Sequence, residues 1–199
     1  MLKNPIPQVT NKLQYRAIGI VKGVYKPHNL DQLNRGVLTD NEGKILETVV
    51  LGKALSLIKK HINLEKNYFW IVYPRNKNTN NLHLQVAGIW DPYELNKIDK
   101  DNSKKDPNEL LKELNLNNNY FSVRGELIYV NTQRKEVVIK ICSSQPSKKL
   151  KNKTFKIVIE GEIPLQFLNN FVSLDVIRDG NTLRMDKYEV IEKKPSKNS

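Results

Sequence analysis

Groups able to do covalent or proton-transfer chemistry are scarce in this sequence. Among 199 residues there are three histidines and one cysteine. Catalysis by a side chain needs a nucleophile or proton carrier with a second group in hydrogen-bond reach to activate it. His28, His61 and His83 show no such spacing. His61 falls on the basic side of a helical pattern, and His83 alternates with Leu82 and Leu84 as a barrel-surface strand residue would. Asp91 and Glu94, the nearest approach to a carboxylate pair, follow a strand end beside Pro92 and read as loop or cap residues. No glycine-rich dinucleotide loop, phosphate loop, His-Glu-x-x-His or Gly-x-Ser-x-Gly occurs. A single cysteine excludes an internal disulfide and a multi-cysteine zinc site. Cys142 ends the alternating apolar run VVIKIC and is expected to be a buried strand residue. The chain is therefore expected not to be an enzyme and to carry no cofactor or metal.

Chemistry for binding is better supplied. Thirty-three lysines and arginines against 21 acidic residues leave a net charge of +12, which attracts polyanions. Lysine far outnumbers arginine and asparagine is abundant, so AT-rich codon usage supplies part of this charge. The distribution is more informative: +7 over residues 1–97, −1 over 98–119 and +6 over 120–199. Two basic halves flank a near-neutral middle.

The elements that must position these charges follow from periodicity. Residues 15–25 (YRAIGIVKGVY) form a long β-rich run broken by Gly19 and Gly23, and glycine inside a strand marks a bulge or sharp bend. Two short runs, 35–39 and 44–51, flank the turn DNEG and predict a hairpin. Over 52–63 the period changes: Ala54, Leu55, Ile58 and Ile62 fall at helical spacing, with Lys53, Lys59 and Lys60 elsewhere. Residues 68–73 and 82–90 are two further strands. The first half thus reads β-β-β-α-β-β, and the second repeats that order with different residues: 120–130 with an internal Gly125, 135–143, 154–160 with alternating Phe155, Ile157 and Ile159, a short segment at 163–168 expected as one helical turn, then 171–178 and 182–191 joined by a glycine turn. The expected organisation is a first barrel at 13–95, a polar linker at 96–119 with a short helix near Pro107, a second barrel at 120–192, and a disordered tail at 193–199.

Five strands with a helix between the third and fourth is the topology of the OB-fold, a small Greek-key barrel. The expected fold class is mainly β, two tandem five-stranded OB-fold-like barrels, each with a short helix. The chain thus resembles tandem OB-fold nucleic-acid-binding proteins over most of its length. The segments RGVLTD, VLGKALSLIKKH and WIVYPR of the first half also resemble a family of uncharacterised cyanobacterial proteins. This resemblance implies a bacterial-type cytoplasm and no particular activity. The N-terminus has no apolar core of the signal-peptide kind and no run is long enough to span a membrane, so a cytoplasmic location without membrane insertion is expected.

An OB barrel binds single strands across strands 2 and 3, flanked by the loops joining strands 1–2 and 4–5. In the first barrel those positions hold Tyr25, Lys26, His28, Arg35, Tyr73, Arg75 and Lys77. Alternatively, the tyrosines pack a barrel edge and the charges are a solvated face. Trp70 and Trp90 are read as core. In the second barrel Lys140 and Lys156 project from one face, with Tyr129 and Arg134 near the first turn. Lys148, Lys149, Lys151 and Lys153 occupy the loop between strands 2 and 3. The function expected is non-enzymatic binding of single-stranded RNA or DNA through phosphate contacts and base stacking. The alternative is a protein–protein adaptor in a nucleoprotein complex, because OB barrels serve both purposes.

Overall fold

Residues 2–76, 81–93, 105–142 and 154–192 are described by the computed structural model. They fall into two units. The first comprises residues 1–7, Ile18–Pro74 and Leu82–Tyr120, and the second Gln8–Ala17, Arg75–Asn81 and 121–199.

In the first unit, β1 (Arg16–Asn29, from Ile18 onward), β2 (Gln32–Asp40), β3 (Ile45–Val50), β4 (Tyr68–Asn76, up to Pro74) and β5 (Leu82–Trp90) form the order β2-β3-β5-β4-β1. β1 pairs back onto β2 and closes the barrel. The third and fifth strands pair in parallel, Thr48 opposite Leu84, and the β1–β2, β1–β4 and β2–β3 pairings are antiparallel. β1 must bend to serve both sides, and Gly23 permits it. A Cβ there would stand 2.5 Å from the Thr39 carbonyl oxygen on β2.

Between β3 and β4 lies α1 (Gly52–His61), which buries Ala54 and Ile58 one turn apart and leaves Lys53, Lys59 and Lys60 exposed. Inside the barrel, Tyr25 and Trp70 are fully buried in edge-to-face contact at 5.9 Å between ring centres. A second cluster joins Phe69 and Trp90 to Leu110, Leu111 and Leu116. The last three belong to residues expected in the linker. There α2 (Pro107–Glu113) forms, with Asp106 as N-cap accepting from the Asn108 N–H at 2.8 Å. That bond to the charged form holds the Asp106 carboxyl below its usual pKa. Leucines at adjacent helical positions, with nothing else to cover them, dock on the barrel wall. Residues 96–104 of the expected linker, and the tail, lie outside the described residues.

The second unit repeats the closure. β6 (Tyr120–Asn131), β7 (Glu136–Cys142), β8 (Thr154–Glu160), β9 (Phe171–Asp179) and β10 (Thr182–Glu192) run in the order β6-β7-β8-β10-β9, and β6 pairs with β9. β8 and β10 pair in parallel. Gly125 serves here as Gly23 does in the first barrel, since a Cβ would lie 2.3 Å from the Lys140 carbonyl oxygen. Only a 3-10 turn, Leu165–Phe167, occupies the place of α1. The chain therefore consists of two OB-fold barrels in tandem, mainly β.

The N-terminal segment is built into this second unit. Arg124, nearly buried, donates to the carbonyls of Lys12 and Gln14 and to the Ser173 hydroxyl, while Arg16 donates to Ser122. Burial lowers the Arg124 pKa, and the carbonyls satisfy donors that would otherwise be desolvated without partners.

Candidate nucleic-acid interface

The outer face of β1, β2 and β3 in the first barrel carries Lys26, His28 and Arg35, all exposed. Register places Lys26 beside Val37 and Val37 beside Glu47, with Arg35 opposite Val49. His28 is drawn to the carboxylate of this row, its Nε2 lying 3.2 Å from Glu47 Oε2. Three basic groups thus share a face with one acid. No exposed aromatic ring accompanies them among the described residues.

Tyr25 does not join that face. Its relative exposure is 0%, and its hydroxyl donates to the Leu33 carbonyl at 2.9 Å. Burial pushes its phenol pKa up to about 12. Stacking on a base would require opening the core, which corrects the expectation that it is a binding residue. The physical reason is parity: Lys26 points outward, so its neighbour points in. Tyr73 is half-buried. Arg75 belongs to the second unit, where its guanidinium lies 3.7 Å from the centre of the Phe155 ring; it is not part of the first-barrel face. Lys77, Lys148, Lys149, Lys151 and Lys153 lie outside the described residues.

The second barrel brings its predicted residues closer together. Across β6, β7 and β8, the register gives three outward rows: Asn131–Glu136–Glu160, Tyr129–Val138–Val158 and Glu126–Lys140–Lys156. Lys140 and Lys156 are direct cross-strand neighbours, an arrangement that like charges disfavour. Lys140 is relieved by Glu126 at 3.3 Å, a carboxylate that also accepts from the Tyr15 hydroxyl at 2.8 Å. Burial and that carboxylate raise the Tyr15 phenol pKa. Lys156 is exposed and forms no ion pair among the described residues.

Tyr129 reaches the face through a β-bulge. Leu127 faces the core opposite Ile139, and strict alternation would turn residue 129 inward as well. The register shift between Leu127 and Tyr129 pairs Tyr129 with Val138 instead and leaves it 45% exposed. Asn131 steadies the ring, its Nδ2 3.2 Å from the phenol oxygen, and its Oδ1 accepts the Arg134 N–H. Cys142 is a correction in the other direction. Ile141 points in, so Cys142 lies on the outer face and is only half-buried.

Beyond this row a shallow pocket of about 230 Å³ opens between the first turn (Arg134, Lys135) and the β9–β10 hairpin (Asn181, Thr182), with Val158 below it and Glu136, Glu160 and Asn76 around it. Asn76 accepts the Val158 N–H at 3.3 Å. Arg178 braces the hairpin by donating to the Gly180 carbonyl at 2.6 Å, where Gly180 turns with φ +57°. Nothing local to Glu136, Glu160 or Asn181 in the sequence indicates that a turn and a hairpin converge beside them.

Two closed barrels of this topology define a tandem OB-fold protein of the nucleic-acid-binding class. Residues 17–97 match the family described as PatR RNA-binding protein, N-terminal OB-fold domain, and residues 123–192 match the cyanobacterial OB-fold-like RNA-binding domain, C-terminal. Together these matches span most of the sequence, and the chain belongs to the tandem OB-fold nucleic-acid-binding proteins. Among solved structures it is similar to a deletion mutant of the single-stranded DNA binding protein from Thermus aquaticus, at 9% identity and a TM-score of 0.38, covering 92% of this chain and 97% of that one. No curated protein matches the sequence. No described helix is long and apolar enough to cross a membrane, and no group of His, Cys, Asp or Glu side chains among the described residues is placed to hold a metal ion.

Proposed function

We propose that the chain is a non-enzymatic, cytoplasmic binder of single-stranded nucleic acid, RNA in the first instance, and that the β6–β7–β8 face of the second barrel is its principal contact. The observation that carries this reading is Tyr129, a half-exposed ring at the β6 end of an apolar row continued by Val138 and Val158, with the Lys140–Lys156 row on one side and Arg134 on the other. A base stacks on the ring and valines, while the cations take phosphates. Lys26, His28 and Arg35 of the first barrel supply a second, charge-only contact, with Glu47 reducing its strength. RNA is favoured because the descriptions of both matching families name it.

The test is binding of a labelled, unstructured 20-nucleotide RNA, followed by fluorescence anisotropy over a range of salt. With Arg134, Lys140, Lys156 and one or two first-barrel cations engaged, log K against log salt should have a slope of about −3. Absence of binding at low salt would overturn the proposal and favour the adaptor reading.

A further inference from the structure

We infer that the pocket at the Val158 end of the apolar row is a base-selective subsite that prefers guanine; this rests on the proposed single-strand binding. The three outward rows differ in chemistry. Lys140 and Lys156 are basic, Tyr129, Val138 and Val158 are apolar, and Glu136 and Glu160 are acidic and directly opposite each other across the strands. The outer rows are four residues apart along β7, a span of about 14 Å. One nucleotide fits that span, extended from its phosphate to the Watson–Crick edge of its base with a hydrogen bond at each end. With the phosphate on the lysine row, the base lies over Val138 and Val158 and its edge enters the pocket, while Tyr129 at the β6 end of the row is left to stack on a neighbouring base.

The pocket walls decide which edge is accepted. Glu136 and Glu160 accept hydrogen bonds and so select donors on the base edge, while Arg134 in the same lining takes the phosphate of the next nucleotide. Guanine alone among the four bases presents two adjacent donors, N1–H and the N2 amino group, matching the two oxygens of a carboxylate. Glu136 is half-buried and forms no ion pair among the described residues, whereas Glu160 has Arg184 only at 3.9 Å. Lys135 is directed to Glu162 at 2.9 Å, leaving Glu136 unopposed by its own neighbour. At about 230 Å³ the pocket lies below the roughly 300–1,000 Å³ of drug-sized sites and suits a single base. Asn181 and Thr182 on the hairpin add neutral partners for the remaining polar atoms.

The experiment compares anisotropy titrations of the full chain with a uridine 10-mer, the same 10-mer carrying one central guanosine, and the same carrying inosine, which lacks the N2 amino group. The guanosine oligomer should bind about tenfold more tightly than the uridine one, and inosine should lose most of that gain. Glu136→Gln and Glu160→Gln, tested singly, should reduce the guanosine preference at least severalfold while leaving uridine binding unchanged or tighter, since each removes a negative charge. Equal binding of all three oligomers, or an undiminished preference in both variants, would overturn the inference. If none of the oligomers binds, the proposed function itself fails.

Discussion

The two barrels share a topology and present different chemistry on the same face. Each has a first strand that bends at a glycine, and each bulges near that strand's end: between Pro27 and Asn29 in the first, between Leu127 and Tyr129 in the second. In the first barrel the residue within the irregularity is His28, which meets Glu47. In the second the shift turns Tyr129 out, beside two valines and a lysine pair. The first barrel keeps its corresponding large aromatics, Tyr25 and Trp70, inside. The lesson is that the same closure can leave its rings in the core or at the surface. A one-residue irregularity turns Tyr129 out, whereas Tyr25 precedes its strand's irregularity and keeps the regular inward parity.

The sharpest way to break this comparison is to truncate one tyrosine in each barrel. Tyr25→Ala empties a fully buried volume and should cost about 3–5 kcal/mol of stability, measured by urea unfolding. Tyr129→Ala should leave the unfolding midpoint within about 0.5 kcal/mol of the parent and weaken RNA binding by about 1–3 kcal/mol without altering the salt slope. Comparable stability losses in both would show that Tyr129 is a core residue too, and the proposed face would be wrong.

A smaller effect sharpens the core side of the contrast. Tyr25→Phe keeps the ring and removes the hydroxyl bond to the Leu33 carbonyl, and should cost about 1 kcal/mol. The same phenol makes stability depend on alkaline pH. Its folded pKa of about 12 lies above the ordinary value of 10.0, so the folded state retains a proton that the unfolded chain releases. Its contribution is complete below pH 10 and lost as the pH rises towards 12. Tyr15 acts in the same direction. In Tyr25→Phe the alkaline loss of stability should therefore be shallower, and an unchanged profile would remove Tyr25 as its source.

The smallest expected change compares cations. Lys156→Ala and Arg134→Ala should each reduce the magnitude of the salt slope by about 0.7, one phosphate apiece. Lys26→Ala and Arg35→Ala in the first barrel should each reduce it by that amount or less. Larger losses from the first-barrel variants would reverse the ranking of the two faces.

Much of this was legible in the sequence because it is local. The alternation of Val137, Ile139 and Ile141 against Phe155, Ile157 and Ile159 requires a half-buried strand pair, and thereby sends Lys140 and Lys156 outward together. Ala54 and Ile58 mark a helix by their spacing. Gly23 and Gly125 announce bends. The fold class followed from the repeated order of these elements, whose periods of 2 and 3.6 are properties of the backbone itself.

What the sequence could not decide depended on register and on distant partners. Tyr25 and Tyr129 are the same residue type near the end of a first strand, yet one is core and the other surface. A single bulge inverts every later side chain on a strand, and its position depends on how the neighbouring strand pairs. Arg75 reads as a basic loop residue and is instead stacked on Phe155, eighty residues away in sequence. Residues 107–114 read as a short helix in a polar linker with Leu110, Leu111 and Leu114 on one side for docking, but the surface those leucines and Leu116 bury against, Phe69 and Trp90, is set by the tertiary structure. The pocket between Arg134, Glu136, Glu160 and Asn181 exists only because barrel closure brings the first turn and the last hairpin to one edge of the same face.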